Sequence, residues 1–332
     1  MRSWMKYGLA VIAIHVVGLA LLLPHLGQFP QLLGFGFLAY TLGLRHAFDV
    51  DHIAAIDNTV RKMIQDKQDP SGLGFFFSLG HSSVVFILAI VTAVSMNWAQ
   101  HNIPQLKAIG GLIGITVSGG FLVLIGLVNL YIWFDIFRFF LGMRRGEYDA
   151  ESIDRILLNR GFISRFFGPF YRLITKSWHV YPLGFLFGLG FDTASEVALL
   201  AIAANAATQY VPVSVLLALP ILFAAGMSLM DTADGVFMTT AYDWAFSTPL
   251  RKVYYNLSVT GLSVVAALFI GLIELAQILT PKLGLSGGIW TWIQELDFGG
   301  IGYLLVGLFV LCWGFSYLLW KVLRLEYPIS SR

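Results

Sequence analysis

One short stretch of the chain concentrates side chains that can bind a cation or carry a proton. Residues 44–58 read LRHAFDVDHIAAIDN, with an arginine, two histidines and three aspartates in one helix length. Neutral imidazole is a ligand for divalent nickel, copper, cobalt and zinc, and carboxylates add ligand atoms and negative charge. The same groups form proton relays inside membrane proteins. This stretch therefore predicts a metal site or a proton pathway, with His46, Asp49, Asp51 and His52 as candidate residues.

Three further polar clusters interrupt apolar sequence. They read GHSS at 80–83, GFDTASE at 190–196 and GMSLMDTAD at 226–234, and their candidate ligands are His81, Asp192, Glu196, Asp231 and Asp234. The four acids form two pairs, spaced four and three residues apart, so each pair shares one face of a helix. Taken alone, the histidine could equally be a packing residue. The number of carboxylates exceeds what one proton requires, which favours a metal ion.

The composition is that of a membrane protein. Of the 332 residues, 57% are hydrophobic and 12% are charged, whereas about 25% of the residues of an average soluble domain are charged. Five apolar runs, at 9–23, 109–132, 211–237, 262–278 and 301–319, approach or exceed the length that a hydrocarbon core of about 30 Å requires of a helix. We therefore expect an all-α integral membrane protein. The net charge of +2 gives no support to nucleic-acid binding.

Eight transmembrane helices account for the pattern. We place them at 7–24, 31–59, 73–96, 109–142, 178–204, 211–238, 256–278 and 300–322. With both termini in the cytoplasm, the outer loops hold only Lys107 and Lys282, and the inner segments hold nearly all other basic residues, as the positive-inside rule predicts. Residues 1–332 then form a single polytopic domain of the cell inner membrane, with residues 143–177 as a cytoplasmic loop between helices four and five.

The first polar cluster lies inside the predicted second helix. Residues 32–44 are largely apolar but span only about 20 Å at 1.5 Å per residue, which is too short to cross the bilayer. Arg61 and Lys62 mark the cytoplasmic exit, so we expect His46 and His52 in the inner half of the membrane. In the alternative, the span ends at Leu44 and the charges beyond it are solvated, which leaves this helix too short.

Helical geometry leaves two arrangements of this cluster open. At 100° per residue, His46 and Asp49 share one stripe of a regular helix, whereas Asp51 and His52 lie roughly 120 to 140° from His46. Either the helix is broken here, as in transporters whose discontinuous helices line a cavity, or the cluster divides into ligands and supporting residues. On an unbroken helix, Asp49 and His52 form the best pair.

Four motifs together carry a resemblance to a known family. They are RHAFDVDHI (45–53), LGHSSVV (79–85), LGFDTASEVALLA (189–201) and GMSLMDTADG (226–235). They resemble, in order, the signature motifs of the NiCoT family of nickel/cobalt permeases, and the likeness extends over nearly the whole chain. The resemblance implies an importer of Ni(II), sometimes Co(II), with the essential His-x4-Asp-His signature on His46, Asp51 and His52. Val50 departs from the alanine more common in the family, which bears on metal preference.

Two other classes of function are alternatives. A proton-coupled permease for an organic solute would use intramembrane carboxylates but leaves the pairing of histidines with so many acids unexplained. A membrane-embedded metalloenzyme is disfavoured because the sequence has no HExxH helix, GxSxG elbow or histidine-box array. It also has no phosphate-binding loop of the GxxxxGK type. We expect a secondary transporter that is not an enzyme and has no prosthetic group or ATPase subunit, with the divalent ion as its substrate.

Uptake should depend on pH, because histidine ligands must be neutral to bind metal. We expect the initial rate of uptake to fall as the external pH drops through the unperturbed histidine pKa of about 6.5. The measurement is radioactive nickel uptake from mildly acidic to neutral pH, at fixed free metal concentration and membrane potential. A flat profile would count against histidine ligands.

Overall fold

The described part of the chain is helical throughout, as the composition predicts. The computed structural model describes residues 3–94, 96–144, 174–190, 194–208, 211–246, 257, 260–296 and 301–322. Within these ranges there is no strand, and the α-helices are α1 Ser3–Leu22, α2 Leu32–His46, α3 Val50–Gln65, α4 Leu73–Val94, α5 Met96–Arg144, α6 Tyr181–Gly188, α7 Ala194–Thr208, α8 Val213–Phe246, α9 Gly261–Lys282, α10 Ile289–Glu295 and α11 Ile301–Val322. The all-α prediction is confirmed.

Five of the described helices are long and apolar enough to cross a membrane. The candidate spans are Trp4–His25, Leu73–Thr92, Ile109–Tyr131, Val213–Tyr242 and Gly261–Lys282. They correspond to predicted helices one, three, four, six and seven. The total of eight spans and the orientation of the termini stay predictions, and most of the predicted cytoplasmic loop, residues 145–173, lies outside the described residues.

The largest differences from the predicted helices lie in three segments. Residues 97–108, predicted as a loop, belong to α5, and α8 continues to Phe246 instead of ending at 238. Helix α10 lies in a segment predicted as a loop. Hydropathy marks the part of a helix that contacts lipid, but a helix satisfies its backbone groups internally and can continue into water. The apolar runs therefore underestimate helix length.

The second predicted helix, placed at 31–59, is broken, so its prediction as one element is wrong. Helix α2 ends at His46, and Asp49 has an extended backbone (φ −64°, ψ 137°) before α3 begins at Val50. The carboxylate of Asp51 accepts a hydrogen bond from the His52 backbone N–H at 3.0 Å. Acidic side chains at a helix N-terminus are favoured by the helix dipole, which helps a new helix begin here. Of the two arrangements left open, the broken helix is the one observed.

The fifth predicted helix, placed at 178–204, is also interrupted. Helix α6 ends at Gly188, Leu189 and Gly190 form a turn, and α7 begins at Ala194. Residues 191–193 lie outside the described residues. A Phe-Asp pair stands at the first break, at 48–49, and the sequence has the same pair at 191–192, directly after the turn that ends α6.

Close backbone crossings join each broken helix to a continuous one. Gly43 of α2 packs against the Phe223 carbonyl of α8, and Gly226 of α8 packs against the Tyr40 carbonyl of α2. A Cβ atom at either glycine would collide with the opposing carbonyl group. Small residues at helix crossings allow such close approach in membranes.

The same crossing recurs between α6 and α4. Gly184 of α6 packs against the Phe77 carbonyl, and Gly80 of α4 packs against the Tyr181 carbonyl. In these crossings α2 corresponds to α6, and α8 corresponds to α4. Each broken helix therefore packs against a continuous helix from the other half of the chain. This correspondence agrees with the match between GHS at 80–82 and GMS at 226–228 in the sequence.

The break in the second helix also divides the hydrophobic core. Ala47 packs in a buried cluster with Phe223 and Met227, whereas Val50, three residues later, packs in a separate cluster with Phe77. Asp49, the polar residue between Ala47 and Val50, therefore lies where the two clusters meet. The fold thus places a small polar site between the two hydrophobic clusters.

The glycine crossings yield a stability prediction. Gly43→Ala and Gly184→Ala should each lower the free energy of unfolding by about 1–3 kcal/mol, the usual cost of overpacking. Gly34→Ala, on α2, is the matched control, since nothing lies within 4 Å of a Cβ atom there. Thermal unfolding of the purified protein in detergent measures the effect. The crossings would carry no such constraint if all three variants unfolded like the parent.

Candidate metal centre

Three buried histidines meet at the break in the second helix. His46 is the last residue of α2, His52 lies in the first turn of α3, and His81 projects from α4. The ring centroids are 4.6 to 4.8 Å apart in all three pairs. One ring nitrogen from each histidine lies within 4.8 Å of the other two. An unbroken helix could not bring His46 and His52 to one point, so the break creates the cluster.

Each histidine has a carboxylate neighbour. Glu196 Oε1 lies 3.0 Å from His81 Nε2 and 3.9 Å from His46 Nε2. Asp231 Oδ2 lies 3.4 Å from His52 Nδ1, and Asp49 Oδ2 lies 2.8 Å from His46 Nδ1.

All three carboxylates are buried. Glu196 comes from α7 and Asp231 from α8. The cluster is thus assembled from both halves of the chain.

An arginine connects one end of the cluster to α7. Arg45 Nη1 donates to Asp49 Oδ1 at 3.0 Å and to Ser195 Oγ at 3.3 Å. Ser195 Oγ also lies 3.2 Å from His46 Nδ1. The side chain of Arg45 is 31% exposed, whereas that of Asp49 is 8% exposed. This end of the cluster reaches the surface through Arg45.

Several polar atoms of the cluster have no hydrogen-bond partner among the described residues. They are His52 Nε2, His81 Nδ1 and Asp231 Oδ1, all buried. Burial of an unbonded polar atom costs free energy, and such atoms in native proteins call for an explanation. Two of these residues, His52 and Asp231, face each other. Buried nitrogen and oxygen atoms that accept no hydrogen bond from the protein can serve as ligands of a cation.

Most of the predicted site residues come together, and two of the described ones do not join the histidine cluster. The residues that meet are His46, Asp49, His52, His81, Glu196 and Asp231. Asp51 lies at the start of α3 with its carboxylate on a backbone N–H. Asp234 lies one turn beyond Asp231 on α8, and its Oδ2 atom is buried without a hydrogen-bond partner. Asp192 lies outside the described residues.

Sequence reasoning missed several neighbours of the cluster. Ser195 contacts His46 only because the fifth helix is interrupted, although it stands beside Glu196 in the GFDTASE motif. The rings of Phe77 and Phe223 lie 4.9 Å from His52 and 5.7 Å from His46. No sequence signal distinguishes these two phenylalanines, because aromatic residues make up 15% of the chain.

The donor atoms indicate the class of ion that the cluster can bind. Imidazole nitrogen with carboxylate oxygen suits divalent nickel, cobalt, zinc and copper, whereas soft ions prefer thiolate. The single cysteine of the chain, Cys312, belongs to α11. Two half-helices, α2 and α6, also end beside the cluster, since Gly188 packs against the backbone of His81. Helix C-termini carry partial negative charge, which favours a cation.

Comparison with known proteins identifies the family. The family described as high-affinity nickel-transport protein matches residues 32–319. A nickel transporter, NixA, from Staphylococcus aureus is 54% identical over 328 residues, covering 99% of this chain and 97% of the relative. A nickel transporter, NicT, from Mycobacterium tuberculosis is 48% identical over 338 residues, covering 98% and 91%.

A cobalt transport protein, NhlF, from Rhodococcus rhodochrous is 39% identical over 312 residues, covering 92% of this chain and 88% of the relative. No solved structure matches the chain. The matches span the residues of the histidine cluster and confirm the resemblance to nickel/cobalt permeases. The chain belongs to the high-affinity nickel-transport protein family.

Proposed function

We propose that this protein imports divalent nickel, or cobalt, across the cell inner membrane through the histidine cluster. The observation that carries the proposal is the convergence of three buried imidazole rings, with ring nitrogens within 4.8 Å of one another. Family membership supports the same function. The ion is the substrate of the transporter, and the proposal includes no enzymatic reaction.

The geometry favours a single ion over an organic solute. The three imidazole rings are in mutual contact, with centroids 4.6 to 4.8 Å apart. Small-molecule sites are cavities of hundreds of cubic ångströms with a few polar groups in an apolar lining. A cluster in which the polar groups nearly touch suits an ion that bonds to several of them at once.

We assign the ligands from the contacts of the cluster. His46, His52 and His81 supply nitrogen, and Glu196 and Asp231 supply oxygen. His46 Nε2 and His81 Nε2 lie 2.8 Å apart. Two nitrogens bound at right angles to one ion, each at a typical distance of about 2.1 Å, lie about 3 Å apart. The two atoms are therefore already spaced as adjacent ligands.

The other predicted residues receive supporting roles. Asp49 orients His46 through its Nδ1 atom, as carboxylates commonly do for metal-binding histidines. Asp51 stabilises the start of α3. Asp234 lies along the route beyond Asp231, and Asp192, which lies outside the described residues, stays a predicted member of the site. Each assignment can be tested by substitution of that residue alone.

The driving force follows from the charge of the ion. A membrane potential contributes about 2.3 kcal/mol per charge per 100 mV, so a divalent cation entering a negative interior gains about 4.6 kcal/mol. With eight spans and both termini in the cytoplasm, helices two and five have opposite orientations. The related crossings of α2 with α8 and of α6 with α4 then form an inverted repeat, in which movement of one half against the other gives alternating access.

Substitution of the histidines tests the site. His46→Ala and His52→Ala should reduce radioactive nickel uptake by at least about tenfold, because each removes a nitrogen ligand and leaves buried partners unpaired. His25→Ala is the matched control. His25 bonds to Ser214, away from the cluster, so uptake should remain close to that of the parent. Near-normal uptake by a cluster variant at equal membrane abundance would exclude that histidine from the site.

Binding to the purified protein separates ligands from supporting residues. His81→Ala and Glu196→Gln should weaken nickel binding in detergent by about tenfold to a hundredfold, the range seen when groups at a metal site are removed. Asp51→Asn should weaken it less, because its carboxylate contacts a backbone N–H. Isothermal titration with nickel, and with cobalt as a competitor, measures the difference. Unchanged affinity in both of the first two variants would contradict the assignment.

A further inference from the structure

A second buried charged cluster lies on the same two helices as the metal centre. Arg61 of α3 donates from Nη2 to Asp57 Oδ2 at 2.9 Å. The hydroxyl of Tyr242, on α8, donates to Asp57 Oδ1 at 2.5 Å and accepts from Arg61 Nη2 at 2.8 Å and Nε at 3.1 Å. The exposed fractions of Asp57, Arg61 and Tyr242 are 0, 0 and 1%. We refer to these three residues as the Arg61 cluster.

The Arg61 cluster lies beyond the metal centre on the cytoplasmic side of the proposed topology. Asp57 follows His52 by five residues and Arg61 follows it by nine, which places them about 7 and 13 Å further along α3. On α8, Asp234 and Tyr242 follow Asp231 in the same direction.

Acidic oxygens connect the two clusters. Asp231 Oδ1 and Asp234 Oδ2 are buried without a hydrogen-bond partner among the described residues. Asp231 and Asp234 are three residues apart on α8, so they share one face of the helix. A row of carboxylates therefore runs from His52 toward Arg61, and a cation that leaves the histidines can follow it.

The positive charge of Arg61 opposes the passage of a cation along this row. A buried guanidinium repels a divalent ion strongly, because the surrounding dielectric is low. Burial of an ion pair contributes little net stability compared with apolar packing, and breaking such a pair by removing one partner is costly. A fully buried Asp-Arg-Tyr cluster at the end of an acidic row is therefore better explained by control of the pathway than by stability alone.

We infer that the Arg61 cluster is the closed cytoplasmic gate of the transport pathway, with Tyr242 as the contact that opens; this inference rests on the proposed function. Asp57 and Arg61 are four residues apart on α3, so their ion pair survives any movement of that helix as a body. The Tyr242 hydroxyl bonds both of them to α8. Separation of α3 from α8 breaks three hydrogen bonds, keeps the charge pair intact and opens the route below Asp234.

Removal of one oxygen atom tests the gate. Tyr242→Phe keeps the ring that packs over Arg61, whose guanidinium carbon lies 5.2 Å from the ring centroid, but deletes the hydroxyl. Tyr181→Phe is the matched control, because the Tyr181 hydroxyl also joins two helices, through Ser83 at 2.9 Å, but lies outside the acidic row.

A cysteine reporter measures opening. Met238 is buried on α8, four residues after Asp234 and four before Tyr242, so all three share one face of the helix. The reporter is Met238→Cys in a Cys312→Ser background that retains nickel uptake. A membrane-impermeant maleimide is applied to inside-out vesicles. Tyr242→Phe should raise the labelling rate at least about tenfold, because it removes all three hydrogen bonds of the hydroxyl to charged groups, and Tyr181→Phe should leave it unchanged.

Transport and binding provide the second readout. In Tyr242→Phe, net nickel accumulation should fall because a weakened cytoplasmic gate favours the inward-open state over the state that takes up external nickel, while nickel affinity of the purified protein should stay within about twofold of the parent. If Tyr242→Phe does not reach the membrane, Arg61→Lys replaces it in the same assays, since lysine keeps the charge but loses the planar fork that bonds to Tyr242.

The possible failures are distinguishable. Parental labelling and accumulation in the gate variants would overturn the gate while the parent still binds and imports nickel. Equal acceleration of labelling in Tyr181→Phe would also overturn it, because loosening would then be general. Absence of nickel binding and uptake in the parent itself would instead refute the proposed function.

Discussion

The extended backbone at Asp49 is the constraint on which the site depends. In a continuous helix His46 and His52 would point away from each other, and neither could share an ion with the other. Ending α2 at His46 and starting α3 at Val50 turns both rings toward His81. Irregular backbone within a membrane is tolerated only where it is covered by protein. The two hydrophobic clusters that meet at this point supply that cover.

The sequence predicts most of the helices and most residues of the histidine cluster, but it does not decide whether the second helix is broken. Apolar runs locate the helices because lipid demands them, and the polar motifs identify most residues of the cluster because charge is costly at that depth. Helical geometry leaves the break open as one of two arrangements but cannot decide it, since residues 46–50 contain neither glycine nor proline. It depends on contacts with α4, α7 and α8, which are distant in sequence. For the same reason Ser195 and Tyr242 escape notice until the helices are packed.

The two halves of the chain contribute different chemistry to a shared framework. Related glycine crossings place α2 on α8 and α6 on α4, yet the nitrogen donors His46, His52 and His81 all precede residue 100, and the acids Glu196 and Asp231 both follow residue 190. The backbone arrangement is repeated while the functional side chains are not. With the ligands proposed above, an ion between the halves would bond to imidazole on one side and to carboxylate on the other.

Because each half of the chain packs its broken helix against a helix of the other half, the packing also constrains folding during synthesis. Helix α2 emerges from the ribosome long before α8, which supplies its glycine crossing, and α3 carries Asp57 and Arg61 into the membrane long before Tyr242 exists. Contacts between residues far apart in sequence form late and slow folding. Neither half can complete its packing alone, so the nascent chain must hold charged residues of its first half in a sheltered environment until synthesis reaches the sixth predicted span. Folding of the first half is thus completed only after the second half has been synthesised.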